Sequence, residues 1–101
     1  MAASLADLKI AWRLDMVKIT FMGAGSTVFA KNVLGDCLSA EVFQDSEICL
    51  YDIDAARLDE SRLMLEAINR NVNGSRAAIR AFLGVENRRA ALRSADFVVN
   101  A

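Results

Sequence analysis

The sequence contains no histidine and no proline among its 101 residues. Without an imidazole there can be no Ser-His-Asp or Cys-His nucleophile system, nor any zinc site that needs a His ligand. Its 2 cysteines are too few for a thiolate-only zinc site or an iron–sulfur cage. Cationic excess is missing as well: 12 Lys and Arg stand against 13 Asp and Glu, a formal net charge of -1. Such a chain has no surplus to neutralise phosphates along a duplex, so nucleic acid is not an expected partner. Arg88, Arg89 and Arg93 cluster, but with acids nearby they read as a solvated helix face. No apolar run approaches the ~18 residues of a membrane span. Asp7, Lys9, Arg13 and Asp15 interrupt every candidate signal-peptide core. A cytoplasmic chain without a membrane partner is expected, with Cys37 and Cys49 as reduced, buried thiols.

Apolar residues are abundant. They make up 54% of the chain against 25% charged, which suits one globular domain of modest size. Residues 1–15 read as a helical extension separate from the core, native or added, with Leu5, Leu8 and Trp12 on one face; Met16 has the look of a second start. From there the pattern alternates regularly. Residues 17–22 form a β-prone run, and residues 27–39 follow as a helix with Phe29, Val33 and Cys37 beside Ala30, Leu34 and Leu38. Ile48 to Tyr51 is a continuous apolar run, as expected of a parallel strand buried on both faces. Asp54 suits an N-cap, Leu58, Leu65, Ile68 and Val72 supply a buried helix face, and Asn73-Gly74 is a stop. A strand over 77–83, with Ile79, Ala81 and Leu83 on one face, a short helix over 86–94 and a strand over 96–101 complete the pattern. Alternating strands and helices predict an α/β fold with a parallel sheet.

Gly23-Ala24-Gly25-Ser26 directly follows the first strand and opens a helix, the context that dinucleotide binding requires. Gly23 permits a sharp turn, and Gly25 lets backbone N–H groups approach a pyrophosphate. The helix N-terminus adds its partial positive charge, and the Ser26 hydroxyl could donate to a phosphate oxygen. The third glycine of the fingerprint is replaced by Val28. Asp52 ends the second strand, where a carboxylate would accept both adenine-ribose hydroxyls and repel a 2′-phosphate, favouring NAD over NADP. Asn100, at the end of the fourth strand, would face the nicotinamide crevice. Each residue also has a plainer explanation: a structural turn for Gly23 and Gly25, a strand-end acid for Asp52, a helix cap for Ser26, and a backbone-bonded strand end for Asn100, for which it is the favoured one.

Residues 18–32, Lys-Ile-Thr-Phe-Met-Gly-Ala-Gly-Ser-Thr-Val-Phe-Ala-Lys-Asn, resemble the N-terminus of the NAD-dependent glycoside hydrolases of family four. Leu34-Gly35-Asp36, Tyr51-Asp52-Ile53-Asp54 with Arg57-Leu58, and Ser94 to Val99 continue the resemblance, which covers residues 17–101. The Gly-Ala-Gly-Ser-Thr-Val-Phe form is closest in style to the α-galactosidase and α-glucosidase branch. The family shares the missing third glycine. The resemblance implies a Rossmann-like sheet of order 3-2-1-4, the first half of an NAD-binding domain over residues 16–101. It implies Gly23, Ala24, Gly25, Ser26 and Thr27 as the phosphate loop and Asp52 as the ribose acid. It further implies hydrolysis of an α-glycoside by transient oxidation at C3 and elimination, with a divalent metal, usually manganese, polarising the ketone. The metal's Cys and His and the Tyr base would lie downstream; Cys37, inside the first helix, and Tyr51, inside a central strand, are not they. Such a segment alone would be inactive and, with an open strand edge, prone to self-association. The competing assignments are a malate or 2-hydroxyacid dehydrogenase fragment, a non-catalytic NAD-binding module and, more weakly, a methyltransferase.

Overall fold

A computed structural model describes residues 17–25, Asn32, Gly35, Asp36, Leu38 and 43–100. The expected extension over 1–15 and most of the first helix lie outside the described residues; Asn32, Gly35, Asp36 and Leu38 are helical. Four strands, β1 (Lys18–Met22), β2 (Glu47–Asp52), β3 (Ala78–Leu83) and β4 (Phe97–Asn100), form one sheet. Their order is β3-β2-β1-β4, as the resemblance implies, and every pairing is parallel, as the alternating sequence predicts. Helix α1 (Ala55–Asn73) links β2 to β3, and a short 3₁₀ turn (Val85–Asn87) followed by α2 (Arg88–Leu92) links β3 to β4. Among the described residues no helix is long and apolar enough to cross a membrane.

The two central strands are buried on both faces. Ile19 and Phe21 of β1 lie in register with Ile48 and Leu50 of β2, and these four join Leu38, Leu58 and Leu65 in the core. The opposite face of β1 carries Lys18 and Thr20, both buried, which would be costly without partners. The end of α2 supplies those partners. The Thr20 hydroxyl donates to the Ala91 carbonyl at 2.6 Å, and Lys18 Nζ donates to the carbonyls of Arg93 at 2.6 Å and Ala90 at 3.3 Å. Helix carbonyls left unpaired at a C-terminus thus meet a cation and a hydroxyl. The polar–apolar alternation of β1 therefore reflects two differently covered faces.

Helix α1 has the ends its sequence suggests. The Asp54 side chain accepts from Arg57 N at 3.0 Å, and Gly74 takes the left-handed conformation (φ 58°) with its N–H on the Asn69 carbonyl. Its inner face differs from expectation in the last turn. Leu58 and Leu65 are buried and Ile68 packs on the core, but Val72 is 60% exposed, and Asn69 and Asn73 take the buried positions. The amides are needed there. Asn69 Nδ2 donates to the Ala77 carbonyl at 2.8 Å while its Oδ1 accepts from Ala77 N at 3.3 Å, and Asn73 Nδ2 donates to the Gln44 carbonyl at 2.7 Å. Valine could satisfy none of these main-chain groups. Of Ile79, Ala81 and Leu83, only Ile79 packs against the core; β3 is the sheet edge, and Ala81 and Leu83 are exposed. The helix expected over 86–94 is shorter and begins as the 3₁₀ turn, after Gly84 at φ 85°.

Candidate functional site: the carboxyl edge of β1 and β2

Parallel pairing brings the carboxyl ends of β1 and β2 side by side, with Met22 in register with Tyr51. The chain leaves β1 through Gly23, whose φ of 78° is a conformation that glycine adopts without strain. Gly23 and Ala24 both donate their N–H groups to the Tyr51 carbonyl at 2.9 Å. The loop is thereby folded over the end of β2. Gly25 N–H then donates to Asp52 Oδ2 at 2.7 Å, while Asp52 Oδ1 accepts from Asp54 N at 2.9 Å. One carboxylate thus ties the loop after β1 to the turn before α1.

Gly25 is glycine for a steric reason. A Cβ there would lie 2.6 Å from Asp52 Oδ2, 3.0 Å from Asp52 Cγ and 3.0 Å from Arg57 Cβ. The absent side chain makes room for the carboxylate. The N–H groups of Gly23, Ala24 and Gly25 are all engaged by acceptors of β2, the Tyr51 carbonyl and the Asp52 carboxylate. Ser26 and Thr27 lie outside the described residues. In the structure the missing side chain at Gly25 also lets Asp52 reach the loop.

Gly23, Ala24, Gly25 and Asp52 are therefore brought together. Asp52 is half-buried, and with one lone pair on each oxygen engaged, each retains capacity to accept a hydroxyl. Asn100 lies at the same sheet edge, in register with Met22 on the far side of β1 from Asp52, and is exposed. Arg57 is exposed on the first turn of α1.

The neighbouring apolar surface was not singled out from the sequence. Ile53, Leu83 and Val85 are 73%, 40% and 67% exposed, and they surround Asp52: Ile53 follows it, Leu83 pairs with it, and Gly84 N–H donates to its carbonyl at 3.1 Å. Three exposed apolar side chains thus stand at the strand ends around the Asp52 carboxylate. The available signal was apolar residues flanking two strand ends, which is hard to separate from strand composition.

Among the described residues no three His, Cys, Asp or Glu gather to hold a metal ion. Cys49 is a free, buried thiol on β2, away from this edge; burial, reinforced by Glu47, pushes its pKa up to about 11, the opposite of an activated nucleophile.

A family profile described as Family 4 glycosyl hydrolase matches residues 18–101. An alpha-galactosidase of Bacillus subtilis (strain 168) is 54% identical over 86 residues, which cover 85% of this chain. The chain spans 19% of that relative's length. The matched residues include the first loop, Asp52 and all four strands, and the chain belongs to family 4 of the glycosyl hydrolases.

Proposed function

We propose that this chain is the NAD-binding portion of an α-glycosidase, most simply an α-galactosidase, that cleaves its substrate by transient oxidation and elimination. The observation that carries the cofactor reading is the Gly25–Asp52 junction, where a carboxylate with free lone pairs lies against a glycine loop at the carboxyl edge of parallel strands. The residues fit the group. Asp52 would accept the adenine-ribose hydroxyls, Ile53, Leu83 and Val85 would cover the adenine ring, and Gly23 to Thr27 would pass beneath the pyrophosphate. Asn100 would border the nicotinamide end. When bound, NAD supplies a hydride acceptor for C3 of the sugar. The chain's own part is to orient the dinucleotide and to fix its adenosine half at one strand edge.

The identity with the Bacillus alpha-galactosidase supports an α-galactoside as substrate. A divalent metal, manganese, is proposed for the full-length parent only; among the described residues no three His, Cys, Asp or Glu gather to hold it. A cytoplasmic setting and self-association through the exposed Phe97 and Val98 of β4 belong to the same proposal. Residues 1–15 are proposed as a helical extension separate from the NAD-binding segment over residues 16–101.

Calorimetric titration of the chain with NAD should give saturable heat; none at millimolar NAD would overturn the cofactor assignment. Hydrolysis of an α-galactoside by the full-length protein in heavy water should place deuterium at C2 of the released sugar, since elimination removes that proton. A product without deuterium would point instead to the two-carboxylate route. A single monomeric species at high concentration in sedimentation would defeat the self-association.

A further inference from the structure

We propose that Arg57 is a phosphate contact for the adenosine half of the bound dinucleotide, a role that rests on the cofactor reading above. Arg57 stands in the first turn of α1 with its main-chain N–H held by Asp54 Oδ1 at 3.0 Å. Its Cβ and the Asp52 carboxylate border the same small gap, the one left by the missing side chain of Gly25. The side chain therefore starts at the lip of the cofactor edge.

Its charge is free to act there. Three carboxylates close to it in sequence are already engaged: Asp52 by the Gly25 and Asp54 N–H groups, Asp54 by Arg57's own N–H, and Asp59 by Arg62. Arg62, Arg76 and Arg80 each hold an ion pair, with Asp59 and Glu66, with Asp45, and with Glu47. Among the described residues no ion pair or side-chain hydrogen bond engages the exposed Arg57 guanidinium. A guanidinium presents planar paired donors that match phosphate oxygens. Asp52 alone would repel a phosphate beside the ribose, and Arg57 supplies the opposing charge at the same place. Two phosphates share this chemistry: the pyrophosphate of every NAD, and the 2′-phosphate that NADP adds.

The test is calorimetric titration of the full-length protein with NAD, NADP and adenosine, for the wild type, Arg57→Gln and Arg57→Lys. Loss of a hydrogen bond to a charged group should weaken dinucleotide binding by about ten- to a hundred-fold in Arg57→Gln. Adenosine binding should be unchanged, and Arg57→Lys should recover part of the loss. A loss on NAD and NADP alike identifies the pyrophosphate; a loss on NADP alone identifies the 2′-phosphate. Unchanged affinity for both dinucleotides in Arg57→Gln overturns the role of Arg57 and leaves the cofactor reading standing. Equal weakening of adenosine also overturns it, since the phosphate would then not be the group contacted. A wild type that binds no NAD overturns the cofactor reading and this role together.

Discussion

Replacing Gly25 by alanine isolates the contact on which the proposed site depends. Gly25 does not have a left-handed φ, so alanine meets no backbone penalty and the whole effect comes from one methyl group. That methyl would sit 2.6 Å from Asp52 Oδ2, closer than a carbon approaches an oxygen, and a tight 3.0 Å from its Cγ. Asp52 must swing away, and the 2.7 Å hydrogen bond from Gly25 N is lost. A hydrogen bond to a charged group contributes about 1.5–3 kcal/mol, and overpacking typically costs about 1–3 kcal/mol. Here they describe a single displacement and do not add; Asp52 is half-exposed, which favours the lower part of the range. The expected cost is about 2 kcal/mol, a fall in Tm of roughly 8–16 °C for a domain of this size. Circular dichroism melts and urea titrations measure it, with Gly35→Ala as the control. Gly35 is helical with nothing within 4 Å of a built Cβ, so alanine there should stabilise by about 0.4–1 kcal/mol. The decisive arm is a double-mutant cycle with Asp52→Ala. With the carboxylate gone the 2.6 Å clash is removed and the 3.0 Å approach to Arg57 Cβ remains, so the cost of Gly25→Ala should drop below about 1 kcal/mol. An unchanged melt for Gly25→Ala, or the same cost with and without Asp52, would refute the reasoning.

Asn69→Ala leaves both main-chain groups of Ala77 without their side-chain partner and should cost about 2 kcal/mol in urea unfolding. Val72→Ala on the same helix turn should cost under about 0.5 kcal/mol, and the reverse ranking would restore Val72 to the core. Thr20→Val keeps the shape but strands the Ala91 carbonyl, so a loss of about 1–2 kcal/mol is expected, and a neutral result would show that this carbonyl finds another donor. Burial pushes the Cys49 thiol up to about 11 in the folded chain from its ordinary 9.0, so the unfolded chain loses its proton first. Stability from this group is therefore fully present below pH 9 and declines as pH rises towards 11; Cys49→Ala should flatten that alkaline slope, and parallel slopes would contradict the assignment.

Much of this was readable from residue types alone, for reasons that are local. A continuous Ile48–Tyr51 run admits little except a strand covered on both faces, and that is where β2 lies. Asp54 and Gly74 cap α1 because a short carboxylate and a residue free of Cβ solve the two helix ends wherever they occur. The last turn of α1 was not readable. Periodicity counts apolar residues, and Val72 scores where Asn73 does not, yet the inward position goes to the residue that can satisfy a carbonyl supplied by Gln44, 29 positions away in the chain. The apolar surface of Ile53, Leu83 and Val85 was equally hidden, because it exists only once β2 and β3 end side by side.

The site shows the same limit in its most instructive form. Read along the chain, Gly-x-Gly and the strand-end acid are two separate signals, and their separation of 27 residues exceeds the spacing of about 20 that the fingerprint expects. In the folded chain that separation has no consequence. The register of β1 and β2 sets their ends side by side however long the connection between them, and Gly25 N–H meets Asp52 directly. The two signals are then one: a side chain at position 25 would exclude the carboxylate from its place, and without the carboxylate the gap at Gly25 has no occupant. Gly25 and Asp52 should therefore tolerate substitution only as a pair. Coupling between them, rather than the sequence spacing, identifies this junction in a chain whose connection between the first two strands is long.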